Sequence, residues 1–238
     1  MSFSGPRHHH RRTDSTNVRA RELALAGAGS GTVVTADEQT AGRGRLGRRW
    51  SAPPGAALLC SSILRPLTDR HTMLPLAVPI AVCEAAESLA PVECRVKWPN
   101  DVWLRERKLA GVLIEARPPD WAVIGVGLNL AVRDDEFPDD LRWPATSLGH
   151  GVEVDQALAA LMESLGRWVA AEPDEVASAF AQRDALRGRE VAWEGAGSAH
   201  GSGLGRAGGI DERGNLIVET ATGARVILGS GEVSLRLS

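Results

Sequence analysis

Apolar and polar positions alternate along this 238-residue chain in two regimes. The first part mixes helical and strand periods. Asp14-Ser15-Thr16-Asn17 is a polar cluster suited to a helix N-terminus, and Val18 to Ala26 continues it to a stop at Gly27 and Gly29. Gly31–Thr35 and Ala57–Leu64 are short apolar runs that predict buried strands. Thr72–Leu89 predicts a helix that starts near Pro75 and is distorted at Pro79. Arg95–Trp98, Val102–Leu104, Leu109–Ala116 and Trp121–Leu130 predict strands, with Pro99-Asn100-Asp101 as a turn. Asp135–Pro144 reads as a loop, and Asp155–Ala170 and Pro173–Leu186 as two helices. After Gly188 only short strand-like runs remain: 191–193, 204–210, 216–219, 225–228 and 232–237. Turns at Gly195, Gly203, Gly214 and Gly223 separate them. The pattern predicts an α+β fold, a mixed β-sheet packed with helices, followed by a small β-barrel. The expected divisions are a disordered tail over 1–12, a main domain over 13–187 and a C-terminal domain over 188–238.

Composition changes this picture little. Hydrophobic residues make up 43% and charged residues 24%, with a net charge of −3, so nothing global points to nucleic acid or to a membrane. The apolar stretch Met73–Cys83 is too short to span a bilayer, which takes roughly 20 residues. The start of the chain has no apolar signal segment. Cys60, Cys83 and Cys94 are scattered, as expected of reduced thiols in the cytoplasm. One bias is sharp: of 27 basic residues only Lys97 and Lys108 are lysines. Where arginine is the default cation, a retained lysine can mark a need for a compact ammonium.

Four segments concentrate candidate chemistry. Gly42-Arg43-Gly44-Arg45-Leu46-Gly47-Arg48-Arg49-Trp50 alternates glycine with arginine, which suits a backbone and side-chain grip on phosphate, although it is no Walker loop. Lys97-Trp98-Pro99-Asn100-Asp101 places an amine, an amide and a carboxylate around one turn, and Asp101 could help hold Mg²⁺. Lys108 opens an apolar strand, where an ammonium can draw a carboxylate and a phosphate together. Gly125-Val126-Gly127-Leu128-Asn129 matches only part of a dinucleotide fingerprint and by itself means close backbone packing. Each segment also has a bland reading: a basic surface loop, an ordinary turn, an edge lysine. Yet both lysines and three of the four asparagines (Asn17, Asn100, Asn129) fall in or beside these motifs. No histidine stands near a serine or cysteine in a triad pattern, which disfavours an acyl-enzyme.

In this order, the segments resemble the biotin–protein ligases. The resemblance runs over roughly residues 13–149 and is carried by Ser15-Thr16-Asn17, Gln39-Thr40-Ala41-Gly42-Arg43-Gly44-Arg45 through Trp50, Lys97-Trp98-Pro99-Asn100-Asp101, Lys108-Leu109-Ala110-Gly111 and Gly125–Asn129. It implies a class II synthetase-like catalytic domain with an SH3-like C-terminal domain. The implied reaction forms biotinyl-5′-AMP from biotin and Mg-ATP, then passes biotin to a lysine of a carboxyl carrier domain. Carried over residue by residue, Ser15, Thr16, Asn17 and Gln39 lie toward the biotin ureido end. Gly42, Arg43, Gly44, Arg45 and Trp50 close over biotin and the phosphate, while Lys108 bridges carboxylate and α-phosphate. Asn100 and Asp101 are on the nucleotide side and Asn129 and Trp143 on the adenylate side, with Lys97, Gly111 and Gly127 as further candidate cofactor-binding residues. Lys108, Arg45 and Asp101 are the candidate catalytic residues, and Asp101 the candidate Mg²⁺ ligand. The loop arginines, lacking evident partners, suggest a lid. Only about a dozen residues precede Ser15, fewer than a helix-turn-helix needs, so operator binding is not expected. A lipoate–protein ligase or octanoyltransferase of the same fold is one alternative. A non-enzymatic nucleic-acid-binding module is another, which an aromatic content of 4% without tyrosine makes unattractive. A monomer and a homodimer are both compatible with the family.

Overall fold

The computed structural model describes residues 3–149, 151–194, 201–229 and 234–237. The expected turn at Gly195 and the start of the last strand, Glu232 and Val233, lie outside the described residues.

The main sheet has seven strands: β1 (Arg7–Thr13), β2 (Val33–Gln39), β3 (Ala57–Leu64), β4 (Cys94–Lys97), β5 (Asp101–Leu104), β6 (Arg107–Arg117) and β7 (Trp121–Asn129). Their spatial order is β1-β2-β3-β7-β6-β5-β4. Only β1 and β2 run parallel. The central strands β3 and β7 are buried along their whole length, because helices cover both faces.

On one face, helix α1 (Thr16–Leu25) sets Ala20 and Ala24 against Val34, Ile63, Trp121 and Val123. Small residues bring this helix close to the sheet. On the other face lie α2 (Leu74–Leu89), α3 (Val154–Trp168) and α4 (Pro173–Arg183). Helix α2 is apolar all round, as a central core helix must be. With the short 3₁₀ turn before it, Asp69–Leu89 is long and apolar enough to cross a membrane, but two-thirds of it is buried within the protein. The helix runs unbroken through Pro79, whose buried ring is part of the packed face.

The N-terminal segment departs from expectation. Residues 7–13 form an edge strand instead of a disordered tail, with His8 paired to Val34 and His10 to Ala36. Periodicity gave no sign of it because β1 has almost no buried side chains. Main-chain bonds to β2 hold it, aided by Arg7 Nε donating to Thr35 Oγ1 at 3.0 Å. Phe3, ahead of it, joins the main core.

The C-terminal part forms a second, antiparallel sheet, in the order β11-β10-β9-β8-β12. These strands are β8 (Glu190–Glu194), β9 (Gly203–Ile210), β10 (Leu216–Glu219), β11 (Arg225–Leu228) and β12 (Ser234–Leu237). Its buried residues Val191, Trp193, Ala207, Leu216, Val218 and Leu228 are continuous with the core of the main domain. At the junction, the fully buried Trp98 donates its indole N–H to the Gly214 carbonyl at 2.9 Å, and Gly214 packs on Met73 and Leu76. Trp98→Phe keeps an aromatic side chain but removes the donor and leaves part of the buried indole volume empty. It should cost about 2–4 kcal/mol, and denaturant unfolding should stay a single transition because both sheets share one core.

Candidate functional site

One cavity of about 650 Å³ opens over β6 and β7, under the Gly42–Trp50 loop. Its floor is a strip of backbone. Gly111 faces Gly127 across the β6–β7 ladder, and Leu113 faces Gly125. A Cβ at Gly125 would stand 2.0 Å from Asn17 Oδ1, and one at Gly127 2.3 Å from Trp50 Cε2. Only glycine leaves room there for an amide and an indole.

The inner end is polar and uncharged. Ser15, Thr16 and Asn17 form the first turn of α1 and are buried. Gln39, at the end of β2, accepts from the Thr16 backbone N–H at 2.6 Å and lies 3.0 Å from the Thr16 hydroxyl. Ser61, inside β3, sits 2.8 Å from Thr16 Oγ1 and 2.7 Å from Asn17 Oδ1. Asn17 Nδ2 donates to Glu115 Oε2 at 2.8 Å. Cys60 also lines the cavity, but burial pushes its thiol up to about 12, so it is no nucleophile at neutral pH.

The outer end is cationic. A β-bulge at Leu109, where Val102 pairs with Ala110 and Trp103 with Lys108, puts Lys108 on the same face as Gly111. Strict alternation would have aimed it into the core. Lys108 Nζ lies 2.7 Å from Asp101 Oδ1 and 5.5 Å from the Trp50 ring. Lys97 pairs with Asp101 across β4–β5 and reaches the Trp143 ring at 4.8 Å. Arg45 donates to Asn100 Oδ1 at 3.2 Å, while Asn100 is pinned by donating to the Val112 carbonyl at 2.8 Å. Arg48 and Arg142 complete this end. Asn129 holds the far wall, donating to the Thr146 carbonyl at 3.0 Å.

The loop itself is tied down. Trp50 N–H donates to the Gly42 carbonyl at 3.0 Å and Gly44 N–H to the Arg48 carbonyl at 2.7 Å. Its arginines have protein partners that the sequence did not reveal: Arg43 pairs with Glu115 at 3.2 Å, and Arg49 donates to the Thr40 carbonyl at 3.1 Å. The Trp50 indole N–H is buried against the strand at Gly127, with no hydrogen-bond partner among the described residues.

Residues 10–129 match the model of the "Biotin/lipoate A/B protein ligase family", and residues 188–236 match the "Biotin protein ligase C terminal domain". The chain belongs to the biotin protein ligase family. It is 34% identical over 236 residues to the biotin–[acetyl-CoA-carboxylase] ligase of Mycobacterium tuberculosis, covering 93% of this chain and 85% of that one. It is 33% identical over 231 residues to the bifunctional ligase/repressor BirA of Bacillus spizizenii, covering 90% of this chain and 69% of that one. The solved biotin protein ligase of Aquifex aeolicus in complex with biotin and ATP superposes with a TM-score of 0.83 at 30% identity, over 98% of this chain and 99% of that one.

The structure brings to one cavity all but one of the residues singled out from the sequence: Ser15, Thr16, Asn17, Gln39, Arg43, Gly44, Arg45, Trp50, Lys97, Asn100, Asp101, Lys108, Gly111, Gly127, Asn129 and Trp143. Gly42 is the exception. It is buried behind the loop, where a Cβ would stand 2.4 Å from the Trp50 carbonyl oxygen, so its part is to let the loop close on itself. Ser61 and Glu115 have no place in the sequence reading of the site, whereas Gly125 stands there within its motif as a point of close backbone packing. Ser61-Ser62 did interrupt an otherwise apolar strand, and a hydroxyl on the α1 side of β3 was the available clue.

Burial pushes Lys97 down from its usual value near 10.5 to about 8, with Asp101 opposing the shift and Lys108, Arg142 and Arg48 adding to it. The folded pKa lies below the unfolded one, so folding releases a proton between these values, and the Lys97 contribution to stability rises as pH rises through that window. A phosphate taken up beside Lys97 would have the opposite sign, since the ammonium is what would attract it. The KM for ATP should therefore climb several-fold between about pH 7.5 and 9.5 while the KM for biotin stays flat. In Lys97→Met this pH dependence should vanish, as steady-state kinetics across pH would show.

Proposed function

We propose that the protein activates biotin with ATP, forming biotinyl-5′-AMP and pyrophosphate, and transfers the biotinyl group to one lysine of a biotin carboxyl carrier domain. The observation that carries this reading is the polarity of the cavity. A neutral hydrogen-bonding end (Ser15, Thr16, Asn17, Gln39, Ser61) is joined by a glycine strip to a cationic end (Lys97, Lys108, Arg45). Such a slot accepts a molecule with an uncharged amide-like head, a slim apolar body and a carboxylate tail, and sets that tail against a phosphate. The match at 188–236 to a biotin-specific C-terminal domain supports biotin over lipoate.

The chemistry asks little acid–base work of the protein. The biotin carboxylate is ionised at neutral pH and attacks the α-phosphorus directly; the bond to the β-phosphate oxygen breaks and pyrophosphate leaves with its electron pair. Two anions must be held together and the charge on phosphorus stabilised, which is a task for fixed cations and backbone N–H groups. Lys108, steered by the Leu109 bulge and steadied by Asp101, is placed for this bridge. In the second step the acceptor amine attacks the acyl carbon, an amide forms, and AMP leaves. Asp101 then takes up the proton of the amine.

Among the described residues, no group of three or more His, Cys, Asp or Glu side chains converges. Asp101 is the residue that would hold Mg²⁺ brought in on the ATP phosphates, and the ion would supply further charge neutralisation there. The protein acts in the cytoplasm, as a monomer or homodimer.

Lys108→Ala should lower biotin-dependent pyrophosphate exchange by about a hundredfold or more, with the circular dichroism spectrum unchanged. Asp101→Asn should slow transfer from preformed biotinyl-adenylate to the carrier domain by at least about tenfold. An unchanged transfer rate removes Asp101 from the second step.

A further inference from the structure

Five large hydrophobic side chains are prominently exposed among the described residues: Leu25, Leu46, Leu141, Leu204 and Ile227. Two of them, Leu46 (57% exposed) and Leu141 (42%), are also among the residues that line the cavity. In both segments the chain puts its polar or aromatic group inward and its leucine outward. Arg45 reaches in to Asn100 and Leu46 turns out; Trp143 packs on Trp103 with ring centroids 5.2 Å apart while Leu141 stands at the rim.

Leu46 is anomalous on a second count. Its backbone is left-handed, at φ 56° and ψ 38°. That conformation costs a β-carbon-bearing residue about 1 kcal/mol, and asparagine or glycine adopts it more readily. An exposed left-handed turn therefore favours a small polar residue twice over. The loop's hold on the sheet comes from Arg43, Arg45 and the Gly44–Arg48 backbone bond. The leucine side chain must act outside the fold.

We propose that Leu46 and Leu141 clamp an aliphatic side chain that adjoins the acceptor lysine on the carrier domain. This rests on the transfer reaction proposed above. The acyl carbon is held beside Lys108, so the incoming amine must enter by the cavity at whose lips these exposed leucines stand. A protein acceptor lays the surface around its lysine on those lips. Exposed Arg43, Arg49 and Arg142 flank them, which matches an acidic partner. Two leucines supply apolar contact where the rest of the rim is charged, and distinguish one lysine from the many others on proteins.

The test uses Leu46→Asn, Leu141→Asn and the double variant in the full chain. Asparagine suits the left-handed position, so loss of the loop's conformation is not the issue. Three rates are compared: biotin-dependent pyrophosphate exchange, transfer from biotinyl-adenylate to hydroxylamine, and transfer to a folded carrier domain. The first two should stay within about twofold of the parent, while kcat/KM for the carrier falls by about tenfold for each leucine. A raised KM for ATP in exchange, or an equal loss with hydroxylamine, would show that the leucines cover the nucleotide and overturn the clamp. So would an unchanged carrier rate. Absence of any biotin-dependent exchange by the parent chain removes the ligase reading and the clamp with it.

Discussion

Strands β6 and β7 come as close to their neighbours as backbone allows at Gly111, Gly125 and Gly127, and nearly every feature of the cavity follows from that approach. Asn17 can point its amide at the sheet only because Gly125 has no side chain. Trp50 can lie flat over Gly127 for the same reason, and this seats the end of the arginine loop. The loop in turn brings Arg45 to Asn100 and Arg43 to Glu115. A methyl group at Gly125 would displace the amide, and one at Gly127 the indole and with it the loop, so the site depends on missing atoms as much as on present ones.

Electrostatics set the second constraint. Two lysines and several arginines converge on a half-enclosed volume with Asp101 between them. Such an arrangement is costly alone, because the like charges repel and burial weakens their hydration. The lowered pKa of Lys97 reports that cost. An anionic ligand repays it, which makes affinity and charge balance the same quantity here. The Lys97 ammonium rests against Trp143 and Trp103, whose ring faces offer partial compensation without neutralising it.

Much of this was legible in the sequence, for physical reasons. Helix α2 and strands β3 and β7 follow from continuous apolar runs, which burial on both faces enforces, and helix α3 from the helical spacing of its one buried stripe. The scarcity of lysine pointed to Lys97 and Lys108 before any geometry was known. Strand β1 was hidden because main-chain bonding holds it, and main-chain bonding has no hydrophobic pattern. The bulge at Leu109 was hidden as well: alternation in sequence cannot show where a ladder slips by one residue. The partners of the loop arginines were out of reach because Glu115 and Asn100 are distant in sequence and meet the loop only when the sheet closes.

The bond from Trp98 to Gly214 carries a different meaning once the site is known. Trp98 stands next to Lys97 and just ahead of Asn100 and Asp101, so the turn that presents these side chains leans on a loop of the second sheet. Function is therefore sensitive to positions that no ligand touches. In a survey of random substitutions, changes around Gly214 would be scored as catalytic defects, and the C-terminal sheet would look like part of the active site while serving as its abutment.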